Sequence, residues 1–513
     1  VPHTSDSYDA IVIGAGVAGL TAATTLANRN VRTLLVERHN VPGGCASFYQ
    51  RDGYRFDVGA TLVGGFGARG VHSLLNAELG VDVSAERIEP SMVVHLPTDS
   101  IVRYGDERWR AERLRAFGPG AENFWLVQER IAELAWDLST RFPALPQDLA
   151  GMWALAGAAR PKHVALLGTL GRSVASIMPA RAPRALRTFV DAQLLITAQT
   201  DARSADLAYG CTALDLAREG TFHLPDGVST LSVALARAFR RAGGTLRYAL
   251  GAAEIVTNRA RVTGVRLDDG TTARARAVVA ALPVGDVLAL CAPLERSWRA
   301  RVAALPQRYG AFTLYCGLPP GVAPADFPSH HQVVAAYDEA LGEGNSVFLS
   351  FSGPHEAHRA RAGGRAVTLS THTDVARWER AYRDGRVPEL RAAYTARLLA
   401  AFERVLPGAA ARAEVMEAAD PHTFARYTGR SRGLVGGLPQ TPSHATFGAF
   451  GHRTCVGGLF LCGDTAFPGQ STVGATLSGY AAGRAALFNV GARAAFFDDD
   501  ARAAFFGRKA PVE

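Results

Sequence analysis

Long hydrophobic runs are missing from this chain of 513 residues. Its longest uncharged stretches, residues 433–451 and 465–483, are broken by Gly, Pro, Ser and Thr. A spanning helix needs about twenty continuous apolar residues, so any membrane contact is peripheral. Paired cysteines are also missing. Cys45, Cys211, Cys291, Cys316, Cys455 and Cys462 lie far apart with no CxxC spacing, which argues against zinc and dithiol motifs and leaves no metal site expected. Most of them read as small buried apolar residues, as suits a reducing cytoplasm. There is no basic block. Lys+Arg of 55 against Asp+Glu of 47 gives +8 with the arginines scattered, so nucleic acid is not an expected partner and an anionic membrane surface is the partner that charge suggests. About seven residues precede the first apolar run, too few for a signal peptide. The expected location is cytoplasmic and peripherally membrane-associated. With 48% hydrophobic and 20% charged residues the chain is not disordered, and its length calls for two or more lobes.

The densest chemistry lies at residues 8–37. A mostly apolar run, 8–13, leads directly into Gly14-Ala15-Gly16-Val17-Ala18-Gly19, then into helix formers at 20–29 and a second buried strand at 31–36 that ends at Glu37. That is strand, glycine turn, helix and strand, with an acid about twenty residues past the glycines. The first glycine permits the turn, the second lets backbone approach a pyrophosphate, and the third lets helix and strand pack closely, with the helix N-terminus facing the phosphates. Glu37 can accept hydrogen bonds from a ribose.

Beyond it, Gly43-Gly44-Cys45-Ala46-Ser47 offers a second close backbone approach, and residues 54–61 read as a strand followed by small residues able to pass a flat ring. Residues 91–209 change to short strands and then helices. Within them, 149–159 is apolar between Asp148 and Arg160, and 164–170 follows Lys162. Two readings stay open there: a cation-rimmed membrane-docking element, or an ordinary helix packed on its own lobe. Residues 228–242 read as a helix ended by Gly243-Gly244, and 245–256, 262–267 and 277–281 as strands. Residues 297–432 return to strands plus helices. The tail repeats Arg-Ala-Ala-Phe-Phe at 493–497 and 502–506 and reads as a packed or loose tail.

A second strong signal is Gly458-Leu459-Phe460-Leu461-Cys462-Gly463-Asp464, a buried strand ending in a small residue and a carboxylate, before a loop and a small-residue helix over 473–486. Such an aspartate can hold a polyol hydroxyl, and the helix N-terminus can stabilise negative charge on a reduced ring. A nicotinamide site does not need this second element; a flavin with its ribityl chain does. The pair of motifs therefore predicts non-covalent FAD.

Gly14-x-Gly16-x-x-Gly19 with Glu37, Pro42-Gly43-Gly44-Cys45-Ala46-Ser47, Phe56-Asp57-Val58-Gly59-Ala60-Thr61 and Gly463-Asp464 with Pro468-Gly469 together resemble the carotenoid desaturase and isomerase family of FAD-dependent oxidoreductases, a branch of the amine-oxidase-like superfamily. The similarity is closest to carotenoid 3,4-desaturases (C-3',4' desaturases) and includes residues 209–225 and 433–437. The resemblance implies an α/β fold: a Rossmann-type FAD-binding lobe formed by 1–90, 215–292 and 440–513, interleaved with an α+β substrate lobe formed by 91–214 and 293–439, whose helical, membrane-facing part lies near 120–205. It implies cofactor contacts at Gly14, Gly16, Ala18, Gly19, Glu37, Arg38, Gly43, Gly44, Ser47, Ala60, Thr61, Ala253, Gly463, Asp464 and Val473. One departure is informative: true amine oxidases usually carry an arginine after the paired glycines, where this chain has Cys45.

The implied reaction is 3,4-desaturation of an acyclic, 1-hydroxycarotenoid type lipid, by hydride transfer to flavin N5 and proton loss, with oxygen or a quinone as the later electron acceptor. A conjugated cation makes that proton easy to remove, so only a weak base is needed and the cofactor carries the difficult step. Asp191, Gln193, Arg432 and His444 are the candidates for such a base, each with a structural reading beside it. The alternatives are a carotenoid cis-trans isomerase or polyene saturase using reduced FAD, an amine oxidase, and a non-enzymatic escort protein for prenylated partners.

Overall fold

A computed structural model describes residues 7–68, 70–446 and 448–491. The repeated Arg-Ala-Ala-Phe-Phe tail lies outside them.

The strand Ala10–Ile13 is Ala-Ile-Val-Ile and fully buried, as an apolar run covered on both faces must be. It is the middle of a five-stranded sheet whose order is Leu459–Leu461, Ala277–Ala280, Ala10–Ile13, Thr33–Val36, Thr245–Arg247. All four pairings are parallel. The chain leaves Ala10–Ile13 toward one edge and returns later on its other side, so a crevice opens at the carboxyl ends of the strands, where such sheets take ligands.

The helix Val17–Ala27 is buried on every side. Its polar members are tolerated because Thr21, Thr24 and Thr25 donate their hydroxyls to the carbonyls of Val17, Leu20 and Thr21, four residues back, at 2.7–2.8 Å. One neighbour is the helix Ser471–Asn489 near the far end of the chain. A Cβ at Gly479 would stand 2.1 Å from the Ala18 carbonyl oxygen, and one at Gly483 2.9 Å from that of Ala22. The absence of side chains there brings the two helix backbones together, and with them the first and last helices of the described residues.

A seven-stranded mixed sheet forms the second layer system, in the order Val415–Ala419, Tyr309–Leu318, Arg365–Asp374, Ser346–Phe351, His330–Val334, Met92–His95, Ser100–Arg103. Aromatic rings of Trp109, Phe117, Trp125 and Phe189 pack the helices of residues 108–198 onto it.

Two expectations change. The run 245–256 is not one strand: Thr245–Arg247 closes the parallel sheet, Ala249 takes φ +53°, and Ala252–Asn258 joins a separate three-stranded antiparallel sheet. The other concerns 149–159. The helix Leu149–Ala158 packs through Ala154, Leu155 and Ala158 against Phe142, Ala144 and Ala481. Its opposite face is bare, with Leu149 77%, Met152 60% and Trp153 79% exposed, so packing on its lobe, one of the two readings left open, accounts for one side of the helix and not the other. The following turns, Pro161–Thr169, add Val164 and Leu167, each 65% exposed.

Those turns are pinned by Asp137, which takes Lys162 at 2.7 Å, Arg141 at 3.0 Å and His163 at 3.1 Å. Burial would raise the Asp137 pKa, but Lys162 and Arg141 outweigh it and lower it to about 2. A depressed carboxylate stabilises above the unfolded value near 3.8 and ceases to as pH falls through about 2. Amide protection over 160–170, taken relative to the unstructured exchange rate at each pH, should therefore fall between pH 4 and 2 and be lowered already at neutral pH in Asp137→Asn; protection that is unchanged in both cases would exclude this role.

Candidate cofactor site

The crevice at the sheet switch point is built from backbone. Gly14 at φ +96° donates its N–H to the Val36 carbonyl at 2.8 Å, which turns the chain out of its strand. A Cβ at Gly19 would lie 2.0 Å from the Gly14 carbonyl oxygen, so glycine is what lets the helix start this close to the turn. Gly43 donates to the Ala15 carbonyl at 2.8 Å and pairs with Gly16 as an isolated bridge. The two glycine turns thus lie side by side, and a Cβ on Gly44 would meet only the Gly16 Cα, at 3.8 Å. Beyond Gly16 and Gly463 a Cβ would meet nothing within 4 Å.

Glu37 is held by backbone: Oε2 accepts from Ala15 N–H at 2.7 Å and Oε1 from His39 N–H at 2.8 Å. Arg38, exposed, lies with its guanidinium against Gly429, where a Cβ would be 2.2 Å from Nη2. Ala253 falls between the paired Ala252 and Glu254 at a register shift, outside the ladder. Ala60 donates its N–H to the Cys45 carbonyl at 3.0 Å. The Thr61 hydroxyl accepts from Ser350 Oγ at 2.8 Å, and Ser350 Oγ is itself 2.8 Å from His330 Nδ1. Asp464 receives Arg430 Nη2 at 2.7 Å. Gly463 donates its N–H to Ser478 Oγ at 3.2 Å. The Val473 side chain packs with Val71, Leu75, Leu477 and Tyr480, which leaves its backbone for any contact.

These residues fit a flavin dinucleotide. The Ser47 hydroxyl is buried and has no hydrogen-bond partner among the described residues. An orphaned donor in a native interior calls for a ligand or water. It sits beside two glycine turns that accept close approach, with a bare helix N-terminus at Gly16 that no side chain caps.

The sequence profile described as flavin containing amine oxidoreductase matches residues 17–487, nearly the whole chain. The chain belongs to that family. This family member is 26% identical over 513 residues to the chloroplastic prolycopene isomerase of Arabidopsis thaliana, covering 92% of this chain and 81% of the plant protein. It is 26% identical over 360 residues to the neurosporene-forming phytoene desaturase of Cereibacter sphaeroides, covering 66% of this chain and 65% of that one. Among solved structures, putrescine oxidase bound to putrescine superposes with a TM-score of 0.61 at 16% identity over 94% of this chain and 99% of that one. An oxidoreductase from Methanosarcina mazei gives 0.59 at 15% over 92% and 98%. The fold is that of the flavin amine oxidoreductases, and membership implies FAD.

The four candidate bases do not converge in this oxidoreductase. Asp191 Oδ1 accepts from Ala202 N–H at 2.8 Å, with its pKa raised by burial. Gln193 donates to Gln332 Oε1 at 2.6 Å. Arg432, at φ +61°, pairs with exposed Glu379. His444 Nδ1 is 2.9 Å from Thr441 Oγ1, with its pKa lowered by burial and by Arg301. Each serves a local bond. Sequence reading missed Arg430, two residues before the arginine it chose, and it missed the Thr61–Ser350–His330 line, in which Thr61 lies 289 residues from the serine it meets. Among the described residues no cluster of three or more His, Cys, Asp or Glu could hold a metal. No helix of them is long and apolar enough to cross a membrane.

Proposed function

We propose that this oxidoreductase acts on an acyclic carotenoid taken from a membrane surface, and that the reaction is 3,4-desaturation of a 1-hydroxycarotenoid type substrate. The observation that carries the reading is the bare face of residues 149–170. Leu149, Met152, Trp153, Val164, Leu167 and Leu170 make up six of the eleven large hydrophobic side chains exposed on the described residues. Exposed Arg160, Lys162 and Arg172 lie among them. An apolar face with cationic neighbours suits an anionic bilayer and a lipid substrate, whereas a water-soluble amine needs neither. The names of the relatives point the same way.

FAD, when bound, supplies a two-electron acceptor for the hydride that leaves the saturated bond. The chain's own residues do the rest. Glu37 and the glycine turns would hold the cofactor's adenosine and diphosphate part, and Asp464 with the N-terminus of Ser471–Asn489 would hold the ribityl and ring part. A base linked to Thr61 by hydrogen bonds is His330. Burial keeps its imidazole neutral and lowers its pKa to about 3, weak but matched to a carbon acidified by conjugation.

A second reading, cis-trans isomerisation with reduced flavin, is favoured by one comparison: the plant isomerase covers 92% of this chain against 66% for the bacterial desaturase. Anaerobic mixing of the FAD-loaded protein with a 1-hydroxycarotenoid in liposomes separates the two. Desaturation bleaches the flavin band and removes two hydrogens from the pigment. A pigment of unchanged mass whose cis-trans pattern shifts only after flavin reduction identifies the isomerase, and added hydrogens identify a saturase. Peroxide released with soluble amines would overturn all three.

A further inference from the structure

The two glycine turns carry no cation of their own, and the residue that follows Gly43-Gly44 is an uncharged thiol, Cys45. A dinucleotide diphosphate brings two negative charges to this place. A helix N-terminus offsets only about half a charge.

A buried cation that reaches this place comes from elsewhere in the chain. Residues 429–437 form a strap that begins against Arg38 and ends against Asp464. A Cβ at Gly429 would be 2.2 Å from Arg38 Nη2, and one at Gly437 2.1 Å from the Asp464 carbonyl oxygen. The strap is fastened at two points. Val435 N–H donates to the Tyr309 carbonyl at 3.0 Å, and Ser431 donates its hydroxyl to Asp286, just past the parallel strand Ala277–Ala280. Arg432 turns outward to Glu379, while Arg430 turns inward. The Arg430 side chain is 14% exposed, with Nε donating to the Leu434 carbonyl at 2.6 Å and Nη2 to Asp464 Oδ2 at 2.7 Å. Its charge also reaches the Cys45 thiol. Burial pushes that thiol's pKa up, Arg430 pulls it down, and Asp464 adds to the rise. Arg430 itself keeps its proton firmly: burial opposes the charge, and Asp464 more than compensates. The strap and the carboxyl end of the strand Leu459–Leu461 thus meet at one guanidinium, whose charge is felt at Cys45 in the second glycine turn.

We propose that Arg430 is the counter-cation of the cofactor's diphosphate, carried to the glycine turns by the strap 429–437 and steadied there by Asp464. The inference rests on the FAD reading and assigns the phosphate charge to a residue far along the chain from both glycine motifs. Asp464 fixes the guanidinium through one carboxylate oxygen and keeps the other for a ribityl hydroxyl. Replacing both the cation and its anchor would therefore weaken two adjoining parts of the same ligand, the diphosphate and the ribityl chain.

The test is binding to the full chain stripped of flavin, with FAD, ADP and riboflavin as separate probes. Arg430→Gln is expected to weaken FAD and ADP roughly 10–100-fold, the range of one charged hydrogen bond or two, and to leave riboflavin unchanged, since riboflavin has no phosphate. Arg430→Lys keeps the charge without the fork and is expected to lose less for both phosphate ligands. It also serves as the readout if the glutamine variant unfolds early, as the thermal midpoint of the stripped protein would reveal. Equal loss for riboflavin places Arg430 at the ring and overturns the proposal, as does unchanged FAD binding in both variants. Failure of the wild-type chain to bind FAD at all is a different result, and it overturns the flavin reading instead.

Discussion

Gly479→Ala is expected to destabilise the protein by about 3 kcal/mol or more and to abolish FAD retention, although it adds a single methyl group. The methyl carbon would stand 2.1 Å from the Ala18 carbonyl oxygen, and that oxygen belongs to backbone in the helix that follows the first glycine motif. Overpacking a core commonly costs about 1–3 kcal/mol when side chains can yield; here two helix backbones must part. Gly157→Ala is the matched control. Gly157 lies in the exposed helix Leu149–Ala158 with nothing within 4 Å of its would-be Cβ. There the same methyl should stabilise by up to about 1 kcal/mol through helix propensity. Denaturant midpoints and flavin content of the two variants decide the matter. Equal midpoints would mean that the helices do not meet as described.

Replacing Leu149, Met152, Trp153 and Leu167 together by Ser should lower affinity for anionic vesicles by at least roughly 100-fold. A fully buried apolar side chain of this size contributes about 1.5–3 kcal/mol, and even partial insertion of four leaves a large sum. Flavin content and fold should stay unchanged, because these side chains are 60–79% exposed. Charge can be tested separately. Arg160→Gln with Arg172→Gln should reduce binding to anionic vesicles by about 1 kcal/mol per site and leave neutral vesicles unaffected. Sedimentation with vesicles of the two compositions reads both effects. Unchanged binding of the fourfold variant would remove the membrane face from the proposed function.

The parts of the site legible in sequence were those in which one short segment contains its own geometry. Gly14, Gly16 and Gly19 announce a turn, a close approach and a tight helix start because those demands fall on adjacent residues, and the structure places each glycine under that demand. Val31 to Glu37 could likewise be read as a buried strand with an acid at its end. Legibility failed wherever the partner is distant. Arg430 and Arg432 are two residues apart, and nothing local says which turns inward; the choice depends on Asp464 and Glu379. The run 245–256 has continuous strand character, yet a turn at Ala249 hands its second half to another sheet, a decision made by Leu267 and its neighbours. The helix at 149–158 has the composition of a core helix, and only its position at the edge of the body reveals that most of that apolar surface has no protein cover.

The crossing of Val17–Ala27 by Ser471–Asn489 also has a consequence for synthesis. The first cofactor motif emerges from the ribosome early, but the helix that covers it, the edge strand Leu459–Leu461 and Asp464 are among the last described parts to be made. Between the synthesis of Val17–Ala27 and that of Ser471–Asn489 an apolar helix therefore awaits its partner. Chains cut short before residue 471 lack the helix that covers the first one, so flavin uptake acts as a check that synthesis has passed Ser471–Asn489.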